Sequence, residues 1–338
     1  MVRLVSEVRP AMNHPVTIVL APLRGVTIRA FREEFAPRFG GVDAALAPFI
    51  PTVAGDRIQP KLLRDVERAP AVFPNAVPQL IGKDPAQLRA MLRALRDIGH
   101  TAANLNAGCP WKFVARKGRG SGLLATPDVL RRMLDVACEE FPGAFSVKVR
   151  LGLVPGDRLL ESCIPIFNSY PLSELIIHPR TAQQMYGGDP DLDRLDALLP
   201  ECRLPVVYNG DIFTVEDFAR VRSRYPSISR FMVGRGLVAN PLLAEQIKAT
   251  PSPTPESGLA RIRDFHDALY ARACRELFGP ASILGRMKEL WGYLHRSTPG
   301  GADGLRAIQR SHSLRDYETA VSRCFEPRMA ARNTEARP

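Results

Sequence analysis

The chain has 338 residues, of which 45% are hydrophobic and 24% are charged, an ordinary composition for a globular protein. That length holds one large domain and a smaller one. No apolar run approaches the roughly 20 residues that cross a bilayer, and the amino terminus lacks the apolar core of a secretory signal. We therefore expect a cytoplasmic protein with no membrane partner. The net charge of +11 favours an anionic partner.

The cysteines form no CxxC pair and have no regular spacing. This pattern argues against a zinc site and against a secreted disulfide framework, so we expect no metal. Cys138, Cys163 and Cys274 lie within apolar stretches and are predicted to pack as small hydrophobic side chains.

Short apolar runs alternate with helical patterns from residue 16 to about residue 248. Continuous apolarity, rather than strict alternation, is typical of strands that are buried on both faces of a parallel sheet. The runs predict strands at residues 16–20, 42–49, 76–81, 102–105, 145–149, 175–178, 205–208 and 230–233.

Helical patterns follow most of these strands. Asp84 is predicted to cap one helix, Thr126 precedes another, and Thr214 with Asp217 resembles a capping box. The segment between the second and third predicted strands is rich in proline, so only a short helix, near residues 61–68, fits there. The alternation predicts a (β/α)8 TIM barrel. An open doubly wound sheet is the alternative, although no G-x-G-x-x-G follows the first strand.

Residues 249–255 predict a linker, because three prolines in seven residues cannot continue a helix. The linker separates a predicted catalytic barrel domain, residues 1–248, from a small all-α helical domain at residues 256–325. Helices in the second domain are predicted at residues 259–273, 282–295 and 303–325, and a frayed tail at residues 326–338.

Polar residues lie at the ends of the predicted strands, where parallel barrels build their active sites. Together with the proline, leucine and glycines beside them, they are Pro22, Leu23, Arg24, Gln79, Cys109, Lys148, His178, Arg180, Asn209, Gly210, Asp211, Gly234, Arg235 and Gly236. The loops after the seventh and eighth strands favour a phosphate site, because their glycines let backbone N–H groups approach an anion. The alternative is a pair of tight turns with a solvated arginine.

Lys148 lies in an apolar strand, where an unpaired ammonium is costly to bury. It therefore needs an anionic or electron-rich partner inside the barrel. The alternative is an outward orientation between the helices, which we expect for Arg150.

Cys109 lies in an Asn-x-Gly-Cys-Pro turn that favours exposure to the cavity; the alternative is an ordinary buried thiol. No His or Cys adjoins it to make a thiolate, so a nucleophilic role is disfavoured. A free thiol has a pKa of about 8.5 and is mostly protonated at neutral pH. A proton donor is therefore the better role.

Several motifs together resemble the tRNA-dihydrouridine synthase family. They are N-L-N-A-G-C-P with the basic loop after it, S-V-K-V-R-L-G, H-P-R-T, N-G-D-I, V-G-R-G, A-P-L-R-G-V-T near the start and R-M-K-E-L-W in the tail. The resemblance covers roughly residues 16–325. The tail is most similar to the C-type bacterial branch, which modifies a uridine in the D-loop.

The resemblance implies an FMN-containing barrel that reduces the C5–C6 bond of particular tRNA uridines, with NADPH reducing the flavin. It implies that Cys109 is the general acid. The implied cofactor-binding residues are Pro22, Leu23 and Arg24 by the flavin ring, Gln79, Lys148 and His178 at its polar edge, and Asn209, Gly210, Asp211, Gly234 and Arg235 at the ribityl chain and phosphate. The expected RNA-binding residues are Asn106, Lys112, Arg116, Lys117, Arg119, Arg180 and Arg286. We expect a monomer.

The chain departs from the family pattern at four positions. Ile28 replaces an acidic residue, and Pro179 replaces the glycine between His178 and the following arginine. Ala107 replaces a methionine, and Trp111 follows Pro110 in the cysteine turn. None of these removes a group that the chemistry needs, but they leave the modified position open.

Three other functions remain as alternatives. A flavin barrel could act on a small dihydropyrimidine or enone, which would need no basic helical appendage. An aldolase-like enzyme would use Lys148 to form a Schiff base. A tRNA-binding protein that has lost catalysis would make Cys109 dispensable.

Overall fold

The computed structural model describes residues 15–55, 58–67, 76–249 and 254–326. Strands in this part of the chain form one parallel sheet with the order β2-β1-β9-β8-β7-β6-β5-β4-β3. They are β1 (Thr17–Leu20), β2 (Ala44–Ala45), β3 (Ile50–Pro51), β4 (Gln79–Ile81), β5 (Ala103–Ala107), β6 (Phe145–Gly152), β7 (Glu174–Thr181), β8 (Val206–Tyr208) and β9 (Arg230–Val233).

The sheet closes into a barrel through its two end strands. β2 pairs with β1 and β3 pairs with β4, and a parallel bridge between Leu46 and Val77 joins the intervening residues to the start of β4. The predicted (β/α)8 barrel is thereby confirmed, and the open sheet is excluded. The single strand predicted at residues 42–49 is wrong: two short strands share that role, because Pro48 between them has no N–H to donate.

Helices surround the barrel and connect its strands. They are α1 (Arg29–Phe35), α2 (Pro60–Leu63), α3 (Pro85–Asp97), α4 (Lys112–Ala115), α5 (Pro127–Glu140), α6 (Leu159–Asn168), α7 (Leu192–Leu198), α8 (Val215–Arg224), α9 (Arg235–Ala239) and α10 (Leu243–Ile247). The predicted caps are present: the Asp84 carboxylate accepts from the Gln87 N–H at 3.0 Å, and Thr214 and Asp217 form a capping box. The helix predicted at residues 61–68 is the shorter α2, and Arg68 lies outside the described residues.

A helical region follows the barrel, as predicted. Its helices are α11 (Pro255–Glu276), α12 (Pro280–Leu294), α13 (Gly301–Arg310) and α14 (Leu314–Phe325). The helical stretch predicted at residues 303–325 consists of two helices, because Ser313 begins a new helix by accepting from the Asp316 N–H. Most of the predicted linker, residues 250–253, lies outside the described residues, so the domain boundary stays a prediction.

The helical region packs tightly against the barrel. Phe265 of α11 meets Phe31 and Phe39 edge to face, with ring centroids 5.2 and 5.3 Å apart. Arg272 of the same helix pairs with Glu33 of α1 at 2.6 Å. This apolar and ionic contact fixes the position of the helical region relative to the mouth of the barrel.

Cysteine packing follows the prediction at two of three positions. Cys163 is buried and Cys138 is half-buried, but Cys274 is exposed, so its predicted burial is wrong. On α11 the neighbouring Ala273 takes the buried face instead. No helix among the described residues is long and apolar enough to span a bilayer.

Candidate active site at the mouth of the barrel

A cavity of about 470 Å³ opens at the carboxyl ends of β1, β6, β7, β8 and β9. It is lined by Ala21, Pro22, Leu23, Lys148, His178, Tyr186, Asn209, Gly210, Asp211, Ile212, Phe213, Gly234, Arg235 and Gly236. Most of the predicted cofactor-binding residues are therefore brought together here. Two predicted members, Arg24 and Gln79, lie outside the lining: Arg24 is exposed, 5.9 Å from the Phe49 ring centroid, and Gln79 is fully buried.

Cations outnumber anions around this cavity. Asp211 accepts from the Arg180 guanidinium at 2.6 and 3.0 Å and pairs with Arg235 at 2.5 Å. Lys148 and Arg150 add two further cationic groups close by. The region thus holds four basic side chains, two of which pair with its one carboxylate, and the site favours an anionic ligand.

Lys148 contributes to this excess in a pH-dependent way. Desolvation by the surrounding protein, aided by repulsion from Arg150, lowers the pKa of its ammonium to about 7. Lys148 lies on β6, in register with Asn106 on the neighbouring strand β5, and it lines the cavity. The ammonium therefore points into the barrel, as predicted, and an anion beside it would favour its charged form.

His178 is neutral at physiological pH, because burial and the positive charges of Arg150 and Lys148 hold its pKa well below the usual value. Its Nε2 lies 3.2 Å from the Arg180 Nη1, which can only donate. Nε2 must then accept, and the ring proton is carried by Nδ1. The imidazole is thus fixed as one tautomer.

Arg150 and Tyr186 were missed by the sequence interpretation. Arg150 was expected to point outward, but it is buried and donates to the backbone oxygens of Thr181 and Met185 at 3.0 and 2.6 Å. The sequence did indicate an inward Arg150, because side chains two residues apart on a strand share a face and Lys148 points inward. Tyr186 follows Met185 in the loop after β7, and its ring centroid lies 4.7 Å from the Arg235 guanidinium carbon. No pattern in the sequence indicated that Tyr186 would reach the cavity.

A ladder of amides crosses the interior beneath the cavity. Asn106 donates to the Gln79 side-chain oxygen at 2.9 Å, and Gln79 donates to Asn104 at 2.8 Å. Asn104 donates in turn to the Ser146 hydroxyl at 2.8 Å. Each amide thereby fixes the orientation of the next. Gln79 keeps one N–H and one lone pair for a ligand, and its predicted cofactor contact stays a prediction.

The same ladder holds the Cys109 turn. The Asn106 side-chain oxygen accepts from the backbone N–H of Gly108 at 3.1 Å and of Cys109 at 2.8 Å. Ser121 closes the turn from the other side, because its hydroxyl and its N–H both donate to the Cys109 carbonyl. The cysteine backbone is therefore held at two points. Asn106 has only 7% of its surface exposed, so its predicted RNA contact stays a prediction.

Cys109 is buried, with 6% of its surface exposed, and does not line the cavity, so the exposure that its turn favoured is wrong. Its thiol stays protonated at neutral pH. Burial raises its pKa, against the smaller opposing effects of the Trp111 N–H and of the nearby charges of Arg150, Arg24 and Lys148. A thiol whose pKa is raised is a poor nucleophile. The same thiol retains a proton that it can donate, and the surrounding positive charge would stabilise the thiolate that remains.

The predicted RNA-binding residues range from exposed to buried: three are exposed, Arg119 and Arg286 are half-buried, and Asn106 and Arg180 are buried. Lys112, Arg116 and Lys117 are exposed on and after α4. Arg286 of α12 donates to the Gly25 carbonyl at 2.7 Å, which places it beside the first loop of the barrel mouth. Arg180 has no exposed surface and holds Asp211, so the structure gives it a positioning role, and its RNA contact stays a prediction.

No cluster of three or more His, Cys, Asp or Glu residues in the described ranges could hold a metal ion. The groups that the structure places at this mouth are cations, a neutral imidazole, amides and one protonated thiol.

Similar known proteins show to which family the chain belongs. The sequence model of the dihydrouridine synthase family matches residues 19–277. The tRNA-dihydrouridine(16) synthase of Ralstonia nicotianae is 30% identical over 88% of this chain and 93% of that protein. The tRNA-dihydrouridine synthase B of Escherichia coli is 27% identical over 83% of this chain and 88% of that protein.

Among solved structures, the old yellow enzyme homologue from Zymomonas mobilis is similar with a TM-score of 0.48 at 11% identity, over 70% of this chain and 89% of that chain. A likeness so distant carries no argument about ligand or substrate. The family match covers most of the chain and spans both the barrel and α11. The chain belongs to the dihydrouridine synthase family.

Proposed function

We propose that this protein is a flavin-dependent tRNA-dihydrouridine synthase, which reduces the C5–C6 double bond of a tRNA uridine with FMN as its cofactor and NADPH as the reductant. The observation that carries the proposal is a protonated thiol, Cys109, at the same barrel mouth as a cation-rich cavity. Membership of the family and the names of the relatives support it.

The residues present fit a flavin mononucleotide by charge. A phosphate and an electron-rich ring would offset the positive charge of Lys148, Arg150 and Arg235. We propose that the ring lies by Pro22, Leu23 and Arg24, its polar edge by Gln79, Lys148 and His178, and the ribityl phosphate by Asn209, Gly210, Asp211, Gly234 and Arg235.

Bound there, the flavin would supply a hydride to C6 of the uracil ring. Cys109 then donates its proton to C5, and the positive charges of Arg150, Arg24 and Lys148 stabilise the thiolate that is left. A positioned acid of this kind contributes about 10²–10⁴-fold to a rate. Asn106 and Ser121 keep the thiol in place through the backbone of its turn.

The tRNA substrate explains the basic surface around the mouth. A uridine must leave its base stack before it reaches the thiol, and phosphates around it need cationic partners. We propose that these partners are Lys112, Arg116, Lys117, Arg119 and Arg286, while the buried Asn106 and Arg180 orient the groups that meet the uridine. Because relatives are named for position 16, we propose a D-loop uridine as the target.

An aldolase-like reaction is the second candidate, because a lysine with a pKa of about 7 is a competent amine nucleophile at neutral pH. Borohydride trapping of a carbonyl substrate on Lys148 would favour it. A flavin released from the purified protein would exclude it.

The visible spectrum and the released cofactor of the purified protein test the proposed function directly. We expect a yellow protein that releases FMN and is bleached by NADPH. Dihydrouridine mapping in tRNA from cells with and without the gene should show one uridine position that depends on it. A colourless protein that takes up no added FMN, and leaves every tRNA position unchanged, would contradict the proposal.

Gly120 offers a test of how strictly the thiol must be placed. A methyl group at this position would lie 2.7 Å from the Cys109 Cβ, and the backbone has a left-handed φ of +57°. We expect Gly120→Ala to lower turnover, by up to about 10²-fold if the thiol moves by 1 Å. Single-turnover uridine reduction by NADPH-reduced enzyme measures the effect.

Gly143→Ala is the matched control for Gly120→Ala. Gly143 has a similar φ of +68°, and a methyl group there would meet nothing within 4 Å. Both variants therefore carry the backbone cost of a left-handed alanine, about 1 kcal/mol, and only Gly120→Ala adds the cost of crowding at Cys109. Equal turnover in the two variants would show that crowding at Cys109 has no effect.

A further inference from the structure

Two large aromatic side chains next to the Cys109 turn are exposed. Trp111 has 62% of its surface exposed and Phe113 has 71%. The other tryptophan of the chain, Trp291, is fully buried, with its indole N–H donating to the Tyr317 hydroxyl. One exposed aromatic ring on a surface is ordinary. Two exposed rings within three residues, beside the proposed proton donor, form an apolar patch that favours a partner.

The surroundings of this patch select the chemistry of the partner. Residues 111–123 contain no acidic side chain and carry Lys112, Arg116, Lys117 and Arg119. The Lys117 ammonium lies 4.0 Å from the Phe113 ring centroid. Exposed rings interleaved with cations match a single-stranded nucleic acid, whose bases stack and whose phosphates carry negative charge.

The patch is held close to the reacting group. The Trp111 backbone lies near enough to the Cys109 thiol to lower the pKa of that thiol. The Trp111 carbonyl accepts from the N–H groups of Val114 and Ala115, both at 2.9 Å, which starts α4. Two consecutive peptide units keep the Cα atoms of residues 109 and 111 within about 7.6 Å. A nucleotide adjacent to the reacting uridine therefore falls within reach of the indole.

We propose that Trp111 and Phe113 form a stacking platform for an unpaired base that neighbours the target uridine in the tRNA, and so help to select the modified position. This inference rests on the proposed function. The platform holds the flanking base while Lys117 and its neighbours meet the phosphates. The side chain that departs from the family pattern at position 111 then contributes to substrate choice.

Kinetics of the holoenzyme with tRNA from cells that lack dihydrouridine test the platform. Loss of stacking on one base should weaken tRNA binding by roughly 5- to 150-fold. We expect Trp111→Ala to raise the KM for tRNA by that factor, while the rate of flavin reduction by NADPH is unchanged. Trp111→Phe keeps a stacking ring and should stay within a few-fold of wild type. Trp111→Leu keeps an apolar side chain without a ring and should behave like Trp111→Ala.

Tryptophan fluorescence gives a second measurement that is independent of turnover. Binding of unmodified tRNA should quench the exposed Trp111 and leave the buried Trp291 unaffected. Trp111→Phe, which retains only Trp291, should show no quenching although it still binds.

Two results would overturn the platform. One is a tRNA KM that is unchanged in Trp111→Ala. The other is a wild-type KM in Trp111→Leu, which would make the contact apolar rather than stacked. A wild-type enzyme that forms no dihydrouridine would instead overturn the proposed function itself, and the fluorescence titration would still show whether RNA meets Trp111.

Discussion

Cys109→Ala should lower uridine reduction by about 10²–10⁴-fold, because the C5 proton must then come from water that is neither positioned nor acidic enough. Flavin content and the rate of flavin reduction by NADPH should stay at wild-type values, since the thiol does not line the cofactor cavity. Single-turnover reduction of tRNA by pre-reduced enzyme measures the loss without interference from the first half-reaction.

Two further variants sharpen that prediction. Cys109→Ser should also be slow, because a hydroxyl is a much weaker acid than a thiol. Cys202→Ala makes the same chemical change away from the barrel mouth and serves as the control. The Cys202 thiol is half-buried after the helical turn that follows α7, and its sulfur lies 3.8 Å from the Leu204 carbonyl oxygen. Dihydrouridine formation at the wild-type rate by Cys109→Ala would show that another group donates the proton.

The sequence was most informative where local patterns decide the structure. Continuous apolar runs found the barrel strands, and most of the residues singled out at their ends line one cavity, because parallel strands end at one edge. The second strand was misplaced, because Pro48 divides it. Cys274 was placed on the wrong face, since an apolar neighbourhood in sequence does not fix the rotation of a helix.

The parts that could not be predicted depend on register and on loop conformation. Gln79 and Asn104 meet because β4 and β5 pair at those residues, and sequence alone does not give that alignment. Tyr186 reaches the cavity because the preceding Met185 adopts a left-handed φ of +52° and its carbonyl is held by Arg150. A bulky residue with positive φ is uncommon, so no rule anticipates it.

Lys148→Met should weaken flavin binding by about 10- to 150-fold, because a hydrogen bond from a charged donor to the polar edge of the ring contributes about 1.5–3 kcal/mol. Methionine keeps most of the volume and the unbranched shape of the lysine stem, so the barrel interior should remain filled. Equilibrium titration of flavin-free protein with FMN, followed by flavin fluorescence, measures the dissociation constant. Cys109→Ala is a suitable companion, since its flavin affinity should be unchanged.

The pH dependence of the same titration separates a charge effect from a packing effect. The pKa of Lys148 in the free protein is about 7, below the ordinary 10.5, so the group is charged at lower pH and neutral at higher pH. Hydrogen-bond acceptors at the polar edge of the ring bind the charged ammonium more tightly than the neutral amine and so raise that pKa. The dissociation constant of the wild type should therefore rise as pH increases above 7, by at most tenfold per unit. Lys148→Met has no ammonium to titrate, so it should show a flat profile over this range, and parallel profiles for both proteins would contradict a charge contact at Lys148.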